Sequence, residues 1–297
     1  MVVLRWIIPL ILVATSLADC NHDRPPIARY GSDDPYDKEE ASRVAMQIDE
    51  LDEDDKQNPW ELSGLFEGDI VLDKKVSRNG ALKEKYRWTK GIVPYYIAEN
   101  NFSDEEKQAI RKGLRAIAEQ SCIKFRRYRK EDTSWVVFRS NSSGCWSYVG
   151  MRPGGQTINL QAPRCIKHGT VIHEALHALG FWHQHSSRDR DKYVRILWEN
   201  IIPSKKHNFK KCNCTDFGVA YDYGSIMHYT SMVFSKNGKP TIKPLQEALI
   251  MGQNFYLSTG DALKLRRMYK RQCSRRRNTQ NWEPFSEHFS SMDDIFG

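Results

Sequence analysis

One short run of the sequence, HEALHALGFWH, limits what this chain can fold into more than any other feature. Its first two histidines, His173 and His177, lie four residues apart, so a helix places both imidazoles on one face, beside Glu174. Gly180 can adopt the left-handed conformation that ends a helix, which lets the chain turn back and present His183. Three protein ligands that leave one coordination position for water are typical of catalytic zinc. The run therefore predicts a catalytic site for one Zn²⁺ ion.

The N-terminus predicts secretion. Arg5 is followed by an apolar stretch and then by Ser16-Leu17-Ala18, small residues at the positions that a signal peptidase inspects, so residues 1–18 are interpreted as a cleaved signal peptide. The apolar stretch is shorter than the roughly 20 residues of a bilayer-spanning helix, which argues against stable membrane insertion. Glycosylation sequons, which fit an extracellular protein, begin at Asn101, Asn141 and Asn213.

Charge divides the rest of the chain into an acidic leader, residues 19–78, and a basic remainder. The leader has 17 Asp/Glu and 8 Lys/Arg, a net charge of −9, whereas residues 79–297 have 20 acids and 36 bases, a net charge of +16. The block from Asp33 to Asp55 is expected to be solvated and poorly ordered, and the leader could also cover the basic remainder electrostatically. The basic charge fits an acidic matrix polysaccharide as a partner. No Lys/Arg run lies among stacking aromatics, so nucleic acid is not expected as a partner.

Periodicity and turn residues predict an α+β fold in one catalytic domain, residues 79–273, called the body below. A capping box, Ser103 with Glu106, begins an amphipathic segment. Helices are predicted over 104–119, 170–179 and 259–270. Short β-like runs cover 92–98, 135–139 and 156–160. Residues 274–297 show no clear periodicity and are expected to form a loosely ordered tail.

Several separated motifs agree with one family. Downstream of the histidines lie Arg188-Asp189-Arg190-Asp191 and Ser225-Ile226-Met227-His228-Tyr229, and upstream lies Gly144-Cys145-Trp146-Ser147-Tyr148-Val149-Gly150. Residues 66–273 thereby resemble the astacin family of secreted zinc endopeptidases, in the metzincin clan. The resemblance implies a two-lobed zinc protease with a twisted mixed sheet and two long helices in the N-terminal lobe. The C-terminal lobe would be mostly irregular, with a terminal helix.

The resemblance also implies roles for individual residues in the hydrolysis of protein or peptide substrates. Glu174 would act as general base and then as general acid while zinc activates the attacking water. Tyr229 would be a weak further metal ligand that moves to hydrogen-bond the oxyanion. Met227 would lie beneath the metal as an apolar floor, and His228 would have no metal role.

The leader contains Phe66-Glu67-Gly68-Asp69, which is similar to the inhibitory signature of the family. The resemblance implies that Asp69 occupies the zinc position meant for water, in a zymogen with an aspartate switch. Gly68 permits the chain to pass close to the floor of the cleft. Arg78 precedes Asn79, where the mature N-terminus would lie, so a trypsin-like protease is the expected activator.

Seven cysteines are present, of which Cys20 falls in the leader and six in the body. An even set fits an oxidised, secreted domain, although the sequence alone selects no pairing. The resemblance implies the disulfides Cys122–Cys273 and Cys145–Cys165. Cys212 and Cys214 remain and could form a local bridge or pair between molecules; a second metal site is less expected in an oxidising compartment.

Two residues after His183 depart from the family pattern. Gln184 stands where the family usually has a glutamate that receives the buried mature N-terminus, and a neutral amide cannot neutralise an ammonium group. His185 is expected to be an exposed loop histidine rather than an extra ligand. A competing interpretation is a catalytically silent secreted protein of the same fold that binds an acidic matrix component. The presence of all ligands and of Glu174 favours the enzyme.

Overall fold

The structure is a computed structural model that describes residues 25, 34–52, 57–72, 83–247 and 250–277. The predicted signal peptide, Cys20, the Arg78–Asn79 site and residues 278–297 lie outside the described residues, so these predictions are not tested. No helix in the described ranges combines the length and the apolar character that crossing a bilayer requires.

A five-stranded mixed sheet forms one side of the first lobe. Its strands are β1 Ile92–Ile97, β2 Lys124–Arg127, β3 Val136–Arg139, β4 Cys145–Trp146 and β5 Gln156–Leu160. The spatial order is β2-β1-β3-β5-β4, and only β4 runs antiparallel to its neighbour. Strand β5 is buried along its whole length, as expected for an inner strand covered on both faces. The three β-like runs are confirmed as β1, β3 and β5.

Two helices pack against each other over this sheet. Helix α2, Asp104–Glu119, begins at the predicted capping box: the Ser103 hydroxyl accepts from the Glu106 N–H at 3.3 Å, and the Glu106 carboxylate accepts from the Ser103 N–H at 2.8 Å. Helix α3, His168–Leu179, is buried on all sides from Gly169 onward; its apolar residues pack in the core, and the polar ones buried with them include the two site histidines and Glu174. Helix α3 thereby carries the first two histidines into the interior of the first lobe.

The second lobe has little regular structure and a core of its own. Strands β6, Val194–Ile196, and β7, Ile242–Pro244, form an antiparallel pair. The apolar residues of this core include Phe209, Tyr229 and Phe234. The α+β, two-lobed architecture is therefore as predicted.

Helix α4, Thr259–Arg277, is longer than predicted, and a tail beginning at residue 274 is wrong. The last turns of α4 are held against the first lobe by tertiary contacts. The sequence periodicity does not indicate these contacts. Cys273 is bonded to Cys122, and the Arg276 guanidinium donates to the Cys122 carbonyl at 2.8 Å. Gln272 also donates to the Glu84 carboxylate at 3.1 Å.

The cysteines of the body pair within the chain. The two disulfides implied by the resemblance, Cys122–Cys273 and Cys145–Cys165, are both present. Cys212 and Cys214 are bonded to each other, which decides between the local and the intermolecular alternatives.

The acidic leader is not poorly ordered over its described part, contrary to the expectation for its acidic block. Helix α1, Lys38–Asp49, is capped by Asp37 and buries Val44 and Ile48 completely. The body contributes hydrogen bonds to the end of this helix, including one from the Gln161 amide to the Ala45 carbonyl at 3.2 Å. Two apolar side chains four residues apart therefore outweigh the high charge of the block.

We expect that Gly113→Ala destabilises the protein, although an alanine normally favours a helix by about 1 kcal/mol over glycine. A Cβ atom at Gly113 would lie 2.6 Å from Val171 Cγ1, because α2 and α3 touch there. Overpacking of this kind costs about 1–3 kcal/mol in the free energy of unfolding. Urea unfolding of Gly113→Ala, Val171→Ala and the double variant measures the coupling. Strictly additive losses would contradict the contact.

Candidate metal centre

Four buried side chains bring their ligand atoms together at one point between the lobes. His173 and His177 come from consecutive turns of α3, His183 follows the end of the helix, and Asp69 comes from the leader. Their ligand atoms all lie within 4.8 Å of one another. The turn after α3 depends on Gly180, whose φ of +109° is in the left-handed region and whose N–H donates to the His177 carbonyl at 2.8 Å.

The spacing of the imidazole nitrogens fits a zinc ion. The Nε2 atom of His173 lies 3.2 Å from the Nε2 atoms of both His177 and His183. Two nitrogens that each lie 2.0–2.1 Å from one tetrahedral ion are about 3.3–3.4 Å apart. The observed separations are therefore those that a shared ion requires.

The tautomers of the first two rings also fit a metal. The Nδ1 atom of His173 lies 2.8 Å from the Ile226 carbonyl, and that of His177 lies 2.9 Å from the Phe181 carbonyl. A carbonyl only accepts, so each Nδ1 carries the proton and each Nε2 keeps its lone pair for the ion. Burial lowers the pKa of His173 to about 4, so its ring is neutral at physiological pH.

Asp69 provides a fourth, oxygen ligand. Its Oδ2 atom lies 2.9 Å from His173 Nε2 and 3.3 Å from His183 Nε2, and its Oδ1 atom lies 3.4 Å from His177 Nε2. Burial favours the neutral acid, but the surrounding rings of His183, His177 and His173 hold the pKa of Asp69 well below its usual range. A carboxylate therefore faces the three rings, and three nitrogens with one oxygen form a donor set that suits zinc.

Glu174 lies beside His173 on α3 and is completely buried. Neither of its carboxylate oxygens has a hydrogen-bond partner among the described residues. Burial and then the nearby Asp69 charge raise the pKa of Glu174 well above its usual range. An unpartnered buried carboxyl group is costly to the fold, and groups with strongly shifted pKa values concentrate at functional sites.

Tyr229 reaches the centre from the second lobe, with its ring centroid 4.7 Å from that of His183. Its hydroxyl is buried without a hydrogen-bond partner in the described part of the chain, and burial raises its pKa well above the ordinary value.

The prediction of an exposed His185 is wrong. This ring is completely buried, stacks on Tyr229 with centroids 3.7 Å apart, and makes a 3.0 Å hydrogen bond to the Asn208 carbonyl. The second lobe folds over this loop, so His185 supports Tyr229.

Three residues that neighbour Tyr229 or His183 in the sequence lie outside the metal cluster. Met227 is buried in the core of the first lobe, and its carbonyl accepts from the Gln184 N–H at 2.7 Å. His228 lies outside the metal cluster and bonds to the Tyr229 carbonyl and the Tyr221 hydroxyl. The Gln184 side chain is buried, but no described contact tests its relation to a mature N-terminus.

Sequence reasoning missed three leader residues near the centre, of which Trp60 and Glu67 contact a ligand histidine whereas Glu61 bonds to Thr230. The Trp60 indole stacks on His173, with centroids 4.2 Å apart and an interplanar angle of 21°. The Glu61 carboxylate accepts from the Thr230 N–H at 2.7 Å and the Thr230 hydroxyl at 2.8 Å, and burial raises its pKa to about 7. The Oε2 atom of Glu67 lies 2.9 Å from the Nδ1 atom of His183. Only Glu67 had a signal in the sequence, because it lies within the inhibitory signature.

Comparison with known proteins identifies the family. The model of the Astacin peptidase family matches residues 80–270. The chain is 40% identical over 225 residues to Seminal metalloprotease 1 of Drosophila melanogaster, covering 72% of this chain and 90% of that protein. It is 37% identical over 272 residues to Low choriolytic enzyme of Oryzias latipes, covering 88% and 96%. A similar solved structure is High choriolytic enzyme 1, a hatching enzyme zinc-protease of Oryzias latipes, with a TM-score of 0.58 and 34% identity over 62% of this chain and 92% of that one.

The chain therefore belongs to the astacin family. It is a zinc metalloendopeptidase that acts on protein or peptide substrates, and its cofactor is Zn²⁺. The resemblance, the fold and the enzyme class predicted from the sequence are confirmed.

We expect His177→Ala to abolish stoichiometric zinc binding, because it removes one of three converging nitrogens. His228→Gln is the matched control, since His228 is an equally buried histidine outside the cluster. Metal analysis of both purified chains after dialysis should find zinc in the control and not in the first variant. Zinc retained by His177→Ala at the level of the unaltered chain would show that this ring is not a ligand.

Proposed function

We propose that this protein is a secreted zinc endopeptidase made as a zymogen, in which Asp69 of the leader blocks the metal centre. One observation carries the proposal: the Asp69 carboxylate lies 2.9 Å from His173 Nε2, inside the group of three imidazoles. The proposed metal ligands are His173, His177 and His183, with Asp69 in the zymogen and Tyr229 as a weak further ligand. The proposed divisions are a signal peptide, an inhibitory propeptide and a catalytic domain over 1–18, 19–78 and 79–273.

Glu174 and Tyr229 are the proposed catalytic residues. Zinc bound by the imidazoles supplies a Lewis acid for attack by water on the peptide carbonyl. Glu174 accepts a proton from the attacking water and passes it to the departing amine, a role that suits a carboxyl group whose pKa burial has raised. The Tyr229 hydroxyl, buried and free of other hydrogen bonds among the described residues, donates to the developing oxyanion.

The backbone around Asp69 supports an inhibitory role. The turn at Leu65–Gly68 is closed by two main-chain hydrogen bonds of 2.9 and 3.0 Å. Gly68 has a φ of +87°, and a Cβ atom there would lie 2.9 Å from the Trp60 carbonyl, so only glycine fits. Beyond the turn, Ser147 N–H donates to the Asp69 carbonyl and Val71 N–H donates to the Ser147 carbonyl, both at 3.0 Å. The leader thus bonds to the body through one parallel bridge, Ile70 with Ser147, just after strand β4, in the manner of an extended peptide at a sheet edge.

Secretion and activation rest on further features of the chain. Three disulfides fit an oxidising compartment, and the sequon residues Asn141 and Asn213 are exposed. Cleavage after Arg78 by a trypsin-like protease would separate the leader from the body. The net charge of +16 over residues 79–297 supports binding to an acidic matrix polysaccharide.

We expect Glu174→Gln to lower kcat by about 10²–10⁴-fold, because an amide of nearly the same shape cannot carry the proton. The zinc content should stay that of the unaltered protein, since Glu174 is not part of the metal cluster. Both are measured on the trypsin-activated protein, with hydrolysis of a denatured protein substrate as the assay. Full turnover by this variant would exclude Glu174 as the general base.

The aspartate switch is tested in a full-length chain that carries Arg78→Gln, so that the leader stays attached. Adding Asp69→Ala should raise its peptidase activity by at least an order of magnitude, because the carboxylate no longer fills the open metal position. Glu39→Ala removes an exposed leader carboxylate on α1 and serves as the control. If both variants remain as inactive as the parent, another contact holds the zymogen closed.

A further inference from the structure

In each of the three proposed zinc-binding rings, Nε2 faces the metal position and Nδ1 contacts a group behind the ring. The rings differ in the group that Nδ1 contacts. His173 and His177 are each held by a carbonyl of the body, that of Ile226 and that of Phe181. His183 is held by the leader, because its Nδ1 atom lies 2.9 Å from Oε2 of Glu67. The body alone therefore orients two ligands, and the leader orients the third.

Glu67 is fixed in place for this contact. Its side chain is only 1% exposed, and its N–H donates to the Asn208 side-chain oxygen at 3.0 Å. Its φ of +46° lies in the left-handed region, which a non-glycine residue seldom adopts. Backbone strain of this kind persists where surrounding contacts enforce it, and it is concentrated at functional sites.

A carboxylate behind a metal-bound histidine has a defined effect. By accepting the Nδ1 proton it fixes the tautomer and the ring orientation, and it makes the coordinating nitrogen more basic. Loss of such an outer partner typically costs 10–100-fold in metal affinity. The leader also provides Asp69, which faces the same ring at 3.3 Å.

We propose that Glu67 is a positioning residue for the zinc ligand His183, and that the precursor consequently holds zinc more tightly than the body without its leader. The proposal rests on the proposed function, in that it takes His183 as a zinc ligand and the leader as part of the precursor. The segment that inhibits the enzyme would then also help to load its metal.

The test compares zinc affinities by competition with a chelator, in full-length chains that carry Arg78→Gln. Glu67→Ala should weaken zinc binding by about 10–100-fold. Glu67→Gln should lose less, because its amide oxygen still accepts the Nδ1 proton of His183. The same variants are then compared in chains that also carry Asp69→Ala, which lack the direct oxygen ligand. Glu67→Ala should weaken zinc binding in these chains as well.

Glu61→Ala is the matched control, because Glu61 is a second buried leader carboxylate that bonds to Thr230. Zinc affinity should change little in this variant. If Glu61→Ala and Glu67→Ala weaken zinc binding equally, general loosening of the leader explains the effect and the proposal is wrong. Unchanged affinity in Glu67→Ala, with or without Asp69, would also overturn it.

An NMR measurement separates an effect on the orientation of the His183 ring from a general loosening of the leader. In ¹⁵N-histidine NMR of the zinc-loaded precursor, His183 should show a protonated, hydrogen-bonded Nδ1, and Glu67→Gln should shift that resonance while those of His173 and His177 stay in place. An unshifted His183 signal would contradict the proposal. Because none of these readouts measures peptidase activity, a failed aspartate switch and a failed Glu67 assignment give different results.

Discussion

Three imidazole nitrogens meet at one buried point, and much of the structure serves to hold them there. Nitrogen lone pairs 3.2 Å apart repel one another unless a cation or a proton lies between them. The convergence is possible because α3 is buried on all sides and because Gly180 reverses the chain directly after it. The hydrogen bonds behind His173 and His177 then leave their rings little freedom to turn away from the ion.

The centre also connects the lobes through one hydrogen-bond network. The Ile226 carbonyl that holds His173 belongs to a turn whose other groups are bound by Asp261, near the start of α4. The Asp261 carboxylate accepts from the Ser225 hydroxyl at 2.6 Å and from the Ile226 N–H at 2.9 Å. The far end of the same helix is bonded to the first lobe by the Cys122–Cys273 disulfide. Helix α4 therefore fixes the turn on which a metal ligand depends.

The features that the sequence predicted correctly depend on residues that lie close together in the chain. The capping box at Ser103 and the four-residue spacing of His173 and His177 gave the helices, because both depend on residues within one or two turns. The burial of His185 and the last turns of α4 were not predictable in this way, since each depends on a partner far along the chain. The acidic block misled for a related reason: its charge is obvious, whereas Val44 and Ile48 matter only once the body is there to cover them.

If the leader is removed as proposed, the groups of the body that it bonds to need new partners. Three residues of the body bond to the leader in this way: Ser147 through its N–H and carbonyl, Asn208 through its side-chain oxygen, and Thr230 through its N–H. In a body without the leader, these groups would have to bond to water or to another chain, because a buried polar group without a partner is costly. The Ser147 pair can be satisfied by any extended backbone, whatever its side chains. Binding of another chain at Ser147 would therefore depend on main-chain geometry, and any sequence preference would have to come from pockets for side chains on either side of it.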